Sequence, residues 1–225
     1  LDGKDVFGCA QTGTGKTAAF ALPILQLLDA KKESNKSRVI KALILAPTRE
    51  LASQISDNFL AYGKNLGISH CTIFGGVSQG PQVNNLRRGV DVLVATPGRL
   101  LDLMNQGFIK LNQVEYFVLD EADRMLDMGF INDIKKIIAK IPVKRQTLFF
   151  SATAAPSIMK LANTILNNPV SVAVTPISST ASLVTQSVYY VKKENKRLLL
   201  KHVLNNSKIE HALVFTRTKR GADKV

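Results

Sequence analysis

The chain contains no tryptophan, and aromatic residues make up only 6% of it. That scarcity argues against the aromatic platforms on which single-strand binding modules stack successive bases. Cysteine is almost as rare. Cys9 and Cys71 stand alone, with no CxxC pair and no histidine at metal-ligand spacing, so neither a zinc site nor a disulfide framework is expected. Cys9 falls in the apolar run Val6-Phe7-Gly8-Cys9, where buried free thiols are common, and a reducing cytoplasm is the setting that fits. No hydrophobic run is long enough to span a bilayer: the longest, Ala18 to Leu28, is interrupted by Pro23. No charged-then-apolar leader opens the chain, so neither export nor a membrane partner is expected. The first residue is Leu1 rather than Met, which suggests sequence upstream.

Acidic residues are also in short supply. Thirty Lys and Arg face 17 Asp and Glu, giving +13 and a pI near 9.9. Such an excess attracts polyanions at long range and favours nucleic acid or an anionic membrane as a partner. It is uneven: residues 1–170 carry 20 basic and 14 acidic side chains (+6), and residues 171–225 carry 10 and 3 (+7).

What the chain does have, at 225 residues and 45% hydrophobic content, is material for one large domain and part of another. Short apolar runs alternate with helical periodicity and few hairpin signals, which predicts an α/β fold with a parallel sheet flanked by helices. Strands are expected at Asp5–Cys9, Lys41–Ala46, Ile68–Phe74, Asp91–Ala95, Val114–Leu119, Gln146–Phe150 and Val170–Val174. Helices are expected over Lys16–Asp29, Glu50–Lys64, Gln79–Arg88, Ile131–Ile141 and Pro156–Leu166. Solid aliphatic runs such as Ala42-Leu43-Ile44-Leu45-Ala46 are what strands covered on both faces look like. The division expected is a first domain over 1–174, a polar, Pro-containing linker over 175–185, and the start of a second domain over 186–225. In that last part, strands at Gln186–Val191 and Ala212–Thr216 would enclose a basic helix at Asn195–Leu204. Two strands and a helix cannot bury a core alone, so this second domain is expected to be incomplete.

Ala10-Gln11-Thr12-Gly13-Thr14-Gly15-Lys16-Thr17 follows a predicted strand and opens a predicted helix. Glycines there let the backbone curl so that successive N–H groups point at phosphate oxygens. Lys16 would meet the β- and γ-phosphates and Thr17 would place its hydroxyl on Mg²⁺. Ala10 stands where the general pattern has glycine, which is sterically open if its backbone angles are ordinary. Far downstream, the run Val114–Leu119 leads directly into Asp120-Glu121-Ala122-Asp123. Carboxylates at a strand's carboxyl end supply the other half of a nucleotide site: Asp120 to hold Mg²⁺, Glu121 to orient and deprotonate the attacking water.

The four letters of that acidic segment spell the name of the DEAD-box RNA helicases, and further signatures of that family follow one another in order. They are Pro47-Thr48-Arg49-Glu50-Leu51-Ala52, Gly75-Gly76, Thr96-Pro97-Gly98-Arg99, Ser151-Ala152-Thr153 and Leu213-Val214-Phe215-Thr216. The chain thus resembles a DEAD-box helicase along essentially its whole length, with a texture similar to the bacterial RhlE-type branch. The resemblance implies a RecA-like P-loop domain and the start of a second one, with use of ATP and Mg²⁺. It also implies unwinding of RNA through backbone-directed, sequence-independent binding. A monomer working with accessory ribonucleoprotein partners is the expectation that goes with it.

The same segments have a physical logic of their own. Thr48 and Arg49 begin a helix after a strand, Gly75 and Gly76 open the backbone to close approach, and Thr96 and Pro97 start another helix that carries Gly98 and Arg99. All lie at carboxyl ends of strands, where open α/β sheets bind ligands, and together they would line one nucleic-acid strand with phosphate contacts. Each taken singly could equally be an ordinary cap or turn. Ser151 and Thr153 could hydrogen-bond the carboxylates of Asp120–Asp123 and couple the nucleotide to the RNA groove, or simply cap the helix opening at Pro156. Asp123 would belong to the same coupling set. By resemblance, the glutamine motif that reads adenine would precede Leu1, and the arginines that stabilise the transition state would follow Val225. Little hydrolysis is therefore expected of these 225 residues alone. A DNA translocase sharing the ATP core is the nearest rival reading. A nucleotide-gated RNA clamp is another, and a P-loop kinase or GTPase lacks its base-reading motif here.

Overall fold

The aliphatic runs become seven short strands: β1 (Val6–Cys9), β2 (Ala42–Leu45), β3 (His70–Ile73), β4 (Val92–Ala95), β5 (Tyr116–Leu119), β6 (Gln146–Ser151) and β7 (Val170–Ala173). They pair in parallel throughout, in the order β3-β4-β2-β5-β6-β1-β7. The structure is a computed structural model and describes residues 1–11, 13–31, 38–174, 185, 187–206 and 209–225. Two units divide the chain, Leu1–Ser178 and Ser179–Val225; the sheet belongs to the first.

Helices α1 (Lys16–Ala30), α2 (Arg49–Tyr62), α3 (Gly80–Arg87), α4 (Pro97–Asn105), α5 (Ala122–Asp127), α6 (Ile131–Ile138) and α7 (Pro156–Ile165) connect the strands. Parallel neighbours demand such crossovers. On one face, Phe20 and Ile24 of α1 and Ile55 and Phe59 of α2 pack on Ile44, Val94 and Val118. On the other, Leu100, Met125, Ile134, Ile137 and Leu161 pack on Leu43, Leu93 and Phe117. Neighbouring residues of β2 thus point into different cores, and all four are fully buried. That is why the run carries no polar alternation.

Asp5 fixes where β1 begins. Its buried carboxylate accepts the N–H of Thr147 on one oxygen and that of Asn167 on the other, both at 2.7 Å. One charge-assisted group therefore ties the start of β1 to β6 and to the loop before β7.

The second unit departs from expectation. It holds a 3₁₀ turn (Lys193–Asn195), the helix α8 (Lys196–Asn206) and a one-turn helix α9 (Lys219–Ala222). The predicted strand at Ala212–Thr216 has no regular structure, and neither do residues 187–191 of the one predicted at Gln186–Val191. Gln186 itself, and most of the expected linker, fall outside the described residues. A strand needs a neighbour to pair with and a face to bury, whereas Tyr190, Leu213 and Phe215 are 98%, 81% and 86% exposed. Among the described residues, no helix is long and apolar enough to cross a membrane.

Candidate functional site

Because all strands run the same way, their carboxyl ends share one edge of the sheet. Hydrogen bonds continue past the strands there: Ala10 N–H donates to Ser151 O, Asp120 N–H to Leu45 O, Ala46 N–H to Ala95 O and Thr96 N–H to Ile73 O, at 3.0–3.1 Å. The loops are thereby locked in strand order. The edge falls into two halves that chain order does not show. Loops after β3, β4 and β2 carry Gly75-Gly76, Thr96–Arg99 and Thr48-Arg49; loops after β5, β6 and β1 carry Asp120–Asp123, Ser151–Thr153 and Ala10–Thr17.

In the second half, Gly13 and Gly15 adopt φ of +84° and +85°, which only glycine takes without strain, and an added Cβ at either would meet nothing within 4 Å. Gly15 caps α1, so the helix N-terminus opens directly onto the loop. Thr14 Oγ1 donates to Gln11 O at 2.7 Å and Lys16 Nζ to Ala10 O at 2.7 Å, which closes the turn. Ala10 is buried and keeps a negative φ, so the missing glycine costs nothing here. Thr17 sits half-buried in the first turn of α1; Thr12 lies outside the described residues.

Across β6, Asp120 is 2% exposed. Burial pushes its carboxyl up to about 6, while the nearby Lys16 ammonium and the Glu121 N–H, donated to Asp120 Oδ1 at 3.0 Å, pull the other way. Loop and acid thus lie near enough for the Lys16 charge to act on Asp120, at the ends of β1 and β5 on either side of β6. Glu121 stands at φ 51°, ψ 51°, a left-handed conformation that non-glycine residues seldom hold outside functional sites. Its carboxylate pairs with Arg124 at 3.2 Å, a partner that sequence reading missed although the i,i+3 spacing on a helix could have shown it. Asp123 Oδ2 accepts the N–H of Ala152 at 3.1 Å. The hydroxyls of Ser151 and Thr153 were open to two roles, reaching these carboxylates or capping α7, and α7 is capped at Ala155 with no side-chain bond. The contact with Asp123 runs through the backbone amide instead, and Ser151 Oγ accepts the Thr153 N–H at 3.3 Å.

In the first half, Thr48 is a true cap, its Oγ1 accepting the Leu51 N–H at 3.3 Å. Arg49 stands exposed, paired among the described residues only with its neighbour Glu50 at 3.2 Å. Thr96 occupies the N-cap of α4 without a side-chain cap bond, and Pro97 follows at the first helical position. Gly75, Gly76 and Gly98 are exposed, and Gly76 takes φ +79°. Arg99 departs from the outward-facing cation expected of it. Its side chain is 12% exposed, Nη2 donates to Val77 O at 3.0 Å, Nε lies 3.7 Å from Asp102, and Nη1 is buried with no partner among the described residues.

The edge supplies hard oxygen donors (Asp120, Thr17), one cation (Lys16) and a left-handed glycine cradle at a helix N-terminus. That chemistry fits a magnesium-bound triphosphate, since Mg²⁺ takes one or two protein oxygens and completes its shell with phosphate and water. Among the described residues, no three His, Cys, Asp or Glu side chains gather to hold a metal.

A family model described as DEAD/DEAH box helicase matches residues 1–161. The chain is 42% identical over its whole length to the DEAD-box ATP-dependent RNA helicase CshA of Streptococcus pneumoniae, and 46% identical to the ATP-dependent rRNA helicase RRP3 of Candida albicans. It spans 42% and 41% of the length of those relatives. A crystal structure of a hypothetical ATP-dependent RNA helicase from Sulfolobus tokodaii is 40% identical and superposes with a TM-score of 0.68, over 76% of this chain and 48% of that one.

Proposed function

The chain belongs to the DEAD/DEAH box helicase family, and from that premise we propose that it is the nucleotide-binding part of an ATP-dependent RNA helicase. One observation carries the reading. The order β5-β6-β1 sets the Ala10–Thr17 loop and the Asp120-Glu121 pair on either side of Ser151, on one edge, with the Asp120 carboxylate within electrostatic reach of Lys16.

In this reading, the N–H groups of Gly13–Thr17 and the Lys16 ammonium grip the phosphates of ATP, and Thr17 with Asp120 holds Mg²⁺. The bound ion supplies charge neutralisation at the phosphates. Glu121, held in place by its strained backbone and by Arg124, accepts a proton from the attacking water at its carboxylate. The other half of the edge (Thr48, Arg49, Gly75, Gly76, Thr96 and Gly98, with Arg99 acting from beneath) takes RNA by its backbone. Affinity there is independent of sequence and falls steeply with salt. Asp123 and the Ser151–Thr153 loop, bonded to each other through the Ala152 N–H within the nucleotide half, are the residues assigned to couple hydrolysis to local strand separation. RNA is the macromolecular partner, and a monomer suffices, since both halves of the edge lie on one chain. The free thiols of Cys9 and Cys71 suit a reducing cytoplasm.

These 225 residues alone are proposed to turn over slowly. A further cation at the γ-phosphate contributes about 10³–10⁵ in rate, and in the first unit Lys16 serves the loop while Arg124 is paired with Glu121.

Calorimetry with MgADP and anisotropy with labelled oligouridine test the reading. Uptake of nucleotide that is lost in Lys16→Ala, and preference for oligouridine over oligodeoxythymidine, are expected. No uptake by the unaltered chain would end it, and equal preference would favour a DNA motor.

A further inference from the structure

The loop after β3 runs from Phe74 to Gln79 and contains the exposed Gly75-Gly76 pair, around which an added Cβ would meet nothing within 4 Å. Two successive glycines with open space on every side describe a segment with many accessible conformations. Yet each of the other four residues is held. Gln82, on the inward side of α3 and 8% exposed, turns its carboxamide back onto the loop. Its Oε1 accepts the Phe74 N–H at 3.1 Å, and its Nε2 donates to Phe74 O at 3.1 Å and Ser78 O at 3.4 Å. One amide thereby satisfies both backbone groups of the residue just before the glycines, much as a neighbouring strand would. Arg99 takes Val77 O at 3.0 Å. Gln79 exchanges hydrogen bonds of 3.0 and 3.1 Å with Gln106, which is itself held by Asp102 at 2.9 Å.

We propose that Gln82 is a positioning residue for RNA binding, which together with Arg99 holds the Gly75-Gly76 backbone in the conformation that receives phosphate. This rests on the RNA reading given above. The buried carboxamide has no reach to a ligand outside, and Arg99 Nη1 is closed off from solvent, so in this conformation neither side chain meets a phosphate. Their effect is exerted through the loop. Pre-organising it removes an ordering cost from binding without adding a charge to the interface.

That distinction is measurable. Gln82→Met keeps the volume and removes all three bonds. The 225-residue chain is titrated with fluorescein-labelled oligouridine at several salt concentrations, and backbone amide exchange of residues 74–79 is followed without RNA. Faster exchange in the variant, RNA affinity reduced about tenfold, and an unchanged slope of log K against log salt are expected, with MgADP affinity as in the parent. Arg99→Gln should behave likewise, whereas loss of a phosphate-contacting cation flattens the slope by about one. A flattened slope in Arg99→Gln, or exchange and affinity unmoved in Gln82→Met, overturns the proposal while leaving the RNA reading intact. Failure of the parent chain to bind oligouridine overturns the RNA reading, and with it this proposal.

Discussion

The Asp123 carboxylate accepts the backbone N–H of Ala152 at 3.1 Å, joining the start of α5 to the loop that leaves β6. This is the direct bond between the acidic segment and Ser151–Thr153, and it involves no hydroxyl. Removing the acceptor in Asp123→Ala should leave MgADP affinity within about threefold, because the loop and Asp120 keep their own contacts. RNA stimulation of hydrolysis should fall by about tenfold, a loss near 1.4 kcal/mol. Single-turnover hydrolysis with and without oligouridine checks this. Equal losses in both conditions would assign Asp123 to chemistry rather than to coupling.

Lys16 and Glu121 are assigned different tasks, and their variants should separate. Lys16→Ala should weaken MgATP binding at least tenfold, since it removes the charge proposed to face the phosphates. Glu121→Gln keeps the shape and should hold affinity within about threefold while hydrolysis falls by roughly 10²–10⁴, the usual worth of a general base. Equilibrium binding and single-turnover rates on both variants decide the matter. Loss of affinity in both would contradict the division.

Burial raises Asp120 from 3.8 to about 6, and the sign of its effect on stability follows. Below the unfolded value both states hold the proton. Between about pH 4 and 6 the folded state retains a proton that the unfolded chain has released, so stability falls as pH rises through that window. Above it the buried charge costs the apo protein roughly 2–3 kcal/mol. Asp120→Asn, which keeps the Oδ1 acceptor for the Glu121 N–H, should therefore stabilise the chain at pH 8 and about half as much at pH 5. Urea denaturation at the two pH values measures the difference. An equal effect at both would mean that the cost is not one of charge burial.

Among the described residues, exposed Arg49 pairs only with exposed Glu50, a bond of little worth in water, so its guanidinium is available to a polyanion. Arg49→Ala should weaken binding to oligouridine and oligoadenosine alike and reduce the salt slope by about one. A base-dependent loss would point to sequence reading and against a backbone contact.

Strands buried on both faces were legible to within a residue or two, because Ala42–Leu45 and Val92–Ala95 are short runs that are apolar throughout. The glycine-lysine loop and the acidic segment were legible as segments at strand ends, and the structure sets both on the same edge of the sheet. Pairing was not. Strand order, and with it the division of the edge into two halves, is a matter of long-range contacts that spacing does not encode. Side-chain direction was equally hidden: Arg99 turns inward onto Val77, and Gln82, a polar residue beside Val83, gives no signal that it holds a loop. The strands expected after residue 185 failed for a different reason, since their local propensity was sound but they neither pair nor bury a face.

Gly8 shows how tightly the base of the phosphate loop is packed. A Cβ added there would lie 2.5 and 2.7 Å from Cδ1 and Cε1 of Phe150, distances that force one group to move. Phe150 cannot withdraw freely, because it is buried and packs against Phe20 of α1 with ring centroids 5.6 Å apart. Gly8→Ala should cost about 1–3 kcal/mol, the usual range for overpacking, and Phe150→Leu in the same chain should recover part of it through coupling of the two sites. Phe20 lies on α1, whose first residues close the loop, so displacement of the ring carries over to the loop. MgADP affinity should therefore fall in Gly8→Ala and recover in the double variant in step with the melting temperature. Stability lost with affinity untouched would show that β1 yields on its own, leaving α1 and the loop where they are.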